Sequence, residues 1–270
     1  MPKIAMTKLS VAGLSIYPVK SCREVKLNSS LVGDFGLEND RRWMVVDENG
    51  VMLTQRKVAQ MCLIQVELTD FGIILTKSSM DRLSVKIPTP KTKTAVKIWQ
   101  DNCEAFDAGD EAASWLSTAL SVKCKLVYFP ENEFRQVDLT YANKGERTAF
   151  SDGFPLLLVS QASLDDLNSR LNTPVTMERF RPNIIVSGCQ AYEEDSWKGI
   201  RIGKMVFRIV KPCSRCIIPN INIETAQREQ EPIKTLSTYR KRENKIFFGQ
   251  NVIADSVGEI KVGMPFDIIK

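Results

Sequence analysis

The sequence predicts a mainly β protein with a few helices, of the α+β class, organised as two domains. Three observations carry that expectation. Short apolar, β-branched runs bounded by turn signals recur along most of the chain. Only two segments show helical periodicity. At 270 residues the chain is long for one compact core and comfortable for two domains or one large β-rich one.

Taken in order, "LSVAGLSIYPVK" (9–20) is a strand-like run that stops at Pro18. "RRWMVVDENGVMLTQR" (41–56) reads as a hairpin turning at Asp47-Glu48-Asn49-Gly50. "MCLIQVELTDFGIILTK" (61–77) repeats the pattern with a turn near Asp70–Gly72, and "RLSVKIP" (82–88) and "AVKIWQDNCEAFDAG" (95–109) continue it. These segments predict a meander or barrel of antiparallel strands up to about residue 109. "GDEAASWLSTAL" (109–120) predicts a helix with Asp110 as N-cap and Ala112, Trp115, Leu116 and Leu120 at helical spacing. "CKLVYFP" (124–130) returns to strand. Residues 131–155 are polar and aperiodic, a long connection, and its part around 131–150 is the best candidate for a seam between domains. "SQASLDDLNSRL" (160–171) is a second helix, started by Ser160 or Ser163. Strand patterns resume at 183–188, 199–210, 245–254 and 258–269.

Composition narrows the chemistry. There is no histidine, which excludes Ser-His-Asp and Cys-His catalysis, His-ligated zinc or iron, and Cys/His zinc deaminases. With 37 basic and 32 acidic residues the excess of positive charge is mild; it favours an anionic ligand without demanding nucleic acid. No basic run interleaved with aromatics suggests a nucleic-acid groove. The first twenty residues lack a signal peptide's apolar core, and no stretch is apolar enough to span a membrane. Seven cysteines, an odd number spread along a long chain, do not form a secreted disulfide framework, so a reduced cytoplasmic protein is expected.

"VKPCSRCIIPN" (210–220) holds the one close cysteine pair, Cys213 and Cys216. Such a pair can be a redox disulfide, half of a zinc site, a grip on a softer metal, or packing. Structural zinc normally takes two close pairs, and only one exists. A thioredoxin-type pair sits at a helix start, whereas Pro219 follows here in extended or turning sequence. A single thiolate on a soft metal and plain packing both stay open.

Nine blocks occur in one order: "IYPVKSC", "DRRW", "FSDGFPLLLVSQASL", "ERFRPNIIVSG", "EEDSW", "KPCSRC", "EPIKTL", "FGQN" and "VGMP". Together they resemble the MOSC family, preceded by that family's N-terminal β-barrel domain, and look most like the YcbX-like proteins and the mitochondrial amidoxime-reducing component. The resemblance covers nearly the whole chain. It implies an N-terminal β-barrel domain over 6–130 and a MOSC β-barrel domain over 131–270. It also implies a molybdenum cofactor, the metal on molybdopterin, carried between the two and ligated by one cysteine.

Carried over residue by residue, the resemblance makes Cys216 the metal ligand and Cys213 its structural companion. Lys20, Ser21, Arg41, Arg181 and Asn183 match cofactor-contacting positions. Ser214 and Arg215 flank the ligand, and Ser151 and Asp152 line the same pocket, with Asp152 positioning substrate or relaying protons. Physical chemistry agrees, since molybdopterin ends in a phosphate that Arg and Lys can grip at about 1.5–3 kcal/mol per charge-assisted hydrogen bond. The implied activity is reduction of small N-hydroxylated substrates (hydroxylamines, amidoximes, N-hydroxylated nucleobases) to amines or amidines. Alternatives on the same fold are a sulfur carrier using a Cys216 persulfide and a cofactor carrier without turnover. Relatives often follow the cysteine motif with a Thr-Thr-Val-Asp-Pro-like stretch. This chain has "IIPNIN" instead, which bears on substrate choice. No iron–sulfur cysteine loop is present, so electrons are expected from a separate donor, either a ferredoxin and flavoprotein reductase or a cytochrome b5-like protein.

Overall fold

The computed structural model describes residues 8–270. Residues 1–7, which open the leader reading and include the first two positions of the expected 6–130 domain, lie outside the described residues. The fold is strand-rich, with three α-helices among the described residues: α1 (Asp110–Leu120), α2 (Gln161–Ser169) and α3 (Ile233–Tyr239).

The largest sheet draws on both ends of the chain. Its strands run in the order Phe266–Ile269, Gly199–Ile202, Met205–Arg215, Lys245–Ala254, Leu156–Ser160, Ile184–Ser187, Ser10–Ile16 and Val25–Leu27, with Lys241–Arg242 beside Lys245–Ala254. The N-terminal strand Ser10–Ile16 therefore pairs antiparallel with Ile184–Ser187. A second crossing joins Gly258–Lys261 to Ser29–Gly33. The meander half contributes a four-stranded sheet (Trp43–Val46, Lys125–Tyr128, Asp101–Asp107, Lys93–Ile98) and a three-stranded one (Gln65–Thr69, Gly72–Thr76, Leu83–Lys86). The chain enters the C-terminal sheet first and returns to it last, so residues near 17–22 lie between the two halves.

Local chemistry accounts for most elements. The hairpin at 43–52 turns where Gly50 donates its N–H to Asp47 O, with φ +75° at Gly50. α1 buries Ala112, Leu116, Ala119 and Leu120 against the meander. Its N-cap is Gly109, without a side-chain cap, and Asp110 is instead the first helical residue, where its charge meets the helix dipole. In α2, Ser160 caps by accepting from Ser163 N.

Four differences from expectation have clear causes. Residues 59–63 form a 3-10 turn that buries Met61 and Cys62, and the strand begins only at Gln65; an apolar run has no period to separate the two. The stretch 95–109 folds back at Trp99–Gln100 into a hairpin with a two-residue turn, although neither residue is a usual turn former. Leu156–Ser160 was not anticipated as a strand. It is buried at every position and pairs parallel with Ile184–Ser187 across α2, so it shows no alternation of polar and apolar residues. The seven-residue α3, also unanticipated, is too short for a helical period to declare itself.

Gly249 sits inside Lys245–Ala254 with φ +81°, and a Cβ there would lie 2.6 Å from Val159 Cγ2 and 2.8 Å from Leu158 O. Gly249→Ala is expected to destabilise the protein by on the order of 2 kcal/mol or more, through both left-handed strain and the clash. Urea unfolding of the two proteins measures this, and equal midpoints would refute it.

Candidate functional site

All ten residues picked from the sequence line one cleft, although they come from five separate stretches of chain. The cleft lies where the segment after Ser10–Ile16, the loop before Leu156–Ser160, the turn before Ile184–Ser187 and the end of Met205–Arg215 meet.

Tyr17 is the hub. It is fully buried, and two guanidinium groups lie on its ring, Arg181 at 4.1 Å and Arg41 at 4.5 Å from the centroid. Arg41 also pairs with buried Asp40, donates to Asn183 Oδ1 at 3.0 Å and donates to Arg181 O at 3.1 Å. Asp40 in turn accepts from Tyr17 N at 2.8 Å. Arg181 donates to Cys22 O at 2.7 Å, while its Nη2 is buried without a partner among the described residues. Burial pulls the Arg181 pKa down, as expected where positive charge outnumbers acceptors.

Asn183 behaves as a clamp. Its Oδ1 accepts from Arg41 and, at 3.1 Å, from Leu157 N, and its Nδ2 donates to Ser15 O at 3.2 Å. Its side chain thus ties three strand regions together and orients Arg41. Ser21, Arg41 and Arg181 all adopt left-handed backbone, at φ 72°, 48° and 57°. Such positions cost about 1–3 kcal/mol each in non-glycine residues and concentrate at binding sites.

On the opposite wall, Lys20 is buried and donates to Phe150 O at 2.8 Å and Asp152 Oδ1 at 2.5 Å. Burial pulls the Lys20 pKa down, and Asp152 opposes that shift. The Asp152 side chain is 63% exposed at the cleft mouth. Enclosure by the cleft raises its carboxyl, but the charge and hydrogen bond of Lys20 outweigh this and hold it well below the usual carboxylate range. Ser151 is buried, with its hydroxyl against that of Thr148. Arg135 fixes this loop from behind, donating to Ala149 O at 3.0 Å and Ser151 O at 2.6 Å while paired to Asp101. Sequence reasoning missed Arg135, and nothing in its polar surroundings marked it.

The two motif cysteines differ. Cys213 lies within Met205–Arg215, packs on the cluster around Phe180 and Phe248, and accepts from Arg215 Nη1 at 3.1 Å. Cys216 follows the strand end, and its sulfur takes only a 3.5 Å contact from Ile218 N. Arg215 donates to Phe180 O at 2.7 Å and leaves a buried Nε unpartnered, and Ser214 is exposed beside it. All seven cysteines are free. Burial pushes the Cys22 thiol up to about 12 and those of Cys62, Cys103 and Cys189 up to about 11, so these stay protonated. Among the described residues no cluster of three or more His, Cys, Asp or Glu can hold a metal. A metal here would need a chelating group that brings its own donors. The two unpartnered guanidinium nitrogens fit an anionic group, and the lightly engaged Cys216 sulfur fits a single-thiolate ligand.

In the loop after Cys216, Ile218 lines the cleft, Pro219 is buried, and Asn220 turns away to accept from Ile233 N at the start of α3. The unusual "IIPN" therefore reaches the cleft through an isoleucine alone. Thr54, Arg56 and Asn251 also line the cleft. The first two sit in a stretch read only as the second arm of a hairpin.

Because the folded Asp152 carboxyl is depressed, its pairing with Lys20 contributes fully above the ordinary carboxyl value of about 4 and is lost as pH falls through the lower folded value. The stability gap between wild type and Asp152→Asn is expected to be constant from pH 7 to about 5 and to close below about 4. Urea unfolding across that range decides it, and a pH-independent gap would rule the pairing out as the cause.

Residues 8–123 match the MOSC N-terminal beta barrel domain and residues 145–267 match the MOSC domain. The chain is 35% identical to mitochondrial amidoxime-reducing component 1 of Homo sapiens over 277 residues, covering 95% of this chain and 82% of that protein. Against the Mus musculus protein of the same name it is 34% identical over 276 residues, covering 95% and 81%. A molybdenum cofactor sulfurase of Oryza sativa is 32% identical over 269 residues, which is 91% of this chain but 32% of that protein. With both domains matched in order and identity held across nearly its full length, this chain belongs to the MOSC family, in the form that carries the MOSC N-terminal β-barrel domain.

Proposed function

We propose that this protein is a molybdenum-cofactor-dependent reductase of N-hydroxylated substrates, converting hydroxylamines and amidoximes to amines and amidines. The observation that carries the reading is Cys216, a lightly engaged thiol at a strand end, in a cleft with two buried, unpartnered guanidinium nitrogens. The names of the amidoxime-reducing relatives supply the reaction class.

The proposed roles follow from the contacts. Cys216 is the metal ligand, and Cys213, packed and held by Arg215, keeps the strand end in place. Arg181 and Arg215, each with a guanidinium nitrogen left unpartnered, bring positive charge to the cofactor's anionic end. Arg41 and Lys20 add positive charge from either wall, and the Ser21, Ser151 and Ser214 hydroxyls are short-range donors. Asn183 holds Arg41 in register. When bound, the cofactor supplies two electrons. With two protons these convert an N–OH group to N–H and release water. Asp152, ionised at neutral pH and exposed at the mouth, is placed to accept a substrate N–H or to pass protons inward.

On this reading the cofactor lies between the expected domains, 6–130 and 131–270. The electrons come from a separate protein, a ferredoxin and flavoprotein reductase or a cytochrome b5-like donor. The seven free thiols suit a reducing compartment, and we infer a cytoplasmic location, which cell fractionation tests.

The deciding measurement is molybdenum and pterin content together with amidoxime reduction, on protein from a host that makes the cofactor. Wild type is expected to carry both and to turn over. Cys216→Ala is expected to lose activity by more than the roughly 10–100-fold typical of outer metal-site residues, while Cys213→Ala keeps its metal. Full molybdenum and activity in Cys216→Ala would sink the ligand assignment. A persulfide on Cys216 with no metal would favour sulfur transfer, and pterin without turnover would favour a cofactor carrier.

A further inference from the structure

A second groove adjoins the cleft. It is lined by Val51, Met52, Lys57, Lys97, Trp99 and Gln100, and Thr54 and Arg56 belong to both. Thr54 and Arg56 thus form a wall common to both, and Trp99 of the groove meets Asp152 of the cleft. The groove's lining is predominantly apolar, in contrast to the donor-rich cleft. Its sides are braced by backbone pairing, with Met52 N donating to Lys97 O at 3.0 Å and Lys97 N donating to Gly50 O at 2.8 Å.

Trp99 stands where groove and cleft meet. It occupies the first position of a two-residue hairpin turn with φ 55°, where glycine or asparagine is the usual occupant and a bulky aromatic is a genuine outlier. The residue is still 37% exposed, so the strain is not explained by core packing. Two contacts hold it in place. The Arg56 guanidinium lies 4.6 Å from the ring centroid, and Nε1 donates to Asp152 Oδ1 at 3.2 Å. Asp152 is in turn bound to Lys20 inside the cleft. A strained, half-exposed aromatic face is thus fixed by hydrogen bond to the carboxylate assigned to the substrate.

We propose that Trp99, with Val51 and Met52, forms a specificity subsite for a flat, apolar group attached to the substrate's N-hydroxylated carbon. The inference rests on the N-hydroxylate reductase reading and deepens it by naming the substrate class, aryl amidoximes over small alkyl ones. An aryl ring against the indole and the Met52 thioether gains stacking and apolar burial, while the reacting N–OH end extends past Asp152 into the adjoining cleft. Lys57, Lys97 and Arg56 around the groove disfavour a ring bearing its own cation.

The test compares benzamidoxime with acetamidoxime, which differ by phenyl against methyl, on cofactor-loaded protein driven by a chemical reductant. In Trp99→Gly, which also relieves the turn strain, the kcat/KM ratio of benzamidoxime to acetamidoxime is expected to fall about tenfold. Trp99→Phe keeps a ring but not the N–H, and is expected to retain most of the wild-type ratio. An unchanged ratio in Trp99→Gly, or an equal fall in Trp99→Phe, would overturn the subsite; the latter would mean that Trp99 acts only through Asp152. Calorimetric titration of benzamidoxime into oxidised protein without reductant gives a second readout, with weaker binding expected in Trp99→Gly and unchanged binding counting against the proposal. If wild type reduces neither compound, the reductase reading fails, and the titration still decides the subsite.

Discussion

Positive charge buried around one tyrosine ring is the constraint on which the rest of the site depends. Arg41 and Arg181 both lie on Tyr17, and among the described residues Asp40 is the only carboxylate closely paired to either. Burying a charge without compensation is costly, so the protein surrounds these groups with backbone acceptors instead. Arg181 donates to Cys22 O, Arg41 to Arg181 O, Arg215 to Phe180 O and Lys20 to Phe150 O. Those carbonyls belong to three walls of the cleft: the segment after Ser10–Ile16, the loop before Leu156–Ser160 and the turn before Ile184–Ser187. The requirement to satisfy cations therefore also fixes the walls relative to one another.

The walls come from distant parts of the chain because the large sheet is closed by its ends. Ser10–Ile16 pairs with Ile184–Ser187, so Tyr17 to Cys22 emerge next to residues 180–183. Asn183 completes this seam, bonding at once to Ser15 O, Leu157 N and Arg41. Three cleft residues sit in left-handed backbone where glycine would be relaxed, and two of them, Arg41 and Arg181, carry the guanidinium groups that lie on Tyr17. The side chain's contribution outweighs the backbone strain there, a balance found more often at binding sites than in frameworks.

Cysteine usage follows the same division of labour. Five of the seven are spread through the chain away from the motif. Four of them, Cys22, Cys62, Cys103 and Cys189, have thiols pushed well up by burial and act as small apolar residues. Cys213 is absorbed by packing and by Arg215, which leaves Cys216 as the lightly held sulfur beside the donors. A pair that looks symmetric in "CSRC" is asymmetric because a strand ends between its members, at Arg215.

The sequence by itself determined the strand-rich class, the hairpin at 43–52, α1 and α2, and the exclusion of all histidine chemistry, because turns, helical periods and composition are local properties. Through its ordered motifs it also marked ten of the residues that line the cleft. Only the tertiary structure decided that Asn183 acts as a clamp, that Asn220 turns away to α3, and that Arg135 supports the loop behind Ser151. It also decided that Leu156–Ser160 is a buried parallel strand and that Trp99 forms a strained turn against Asp152. Those facts depend on contacts between residues far apart in the chain. No local pattern encodes which acceptor a side chain will find once the two ends of the chain have joined the same sheet.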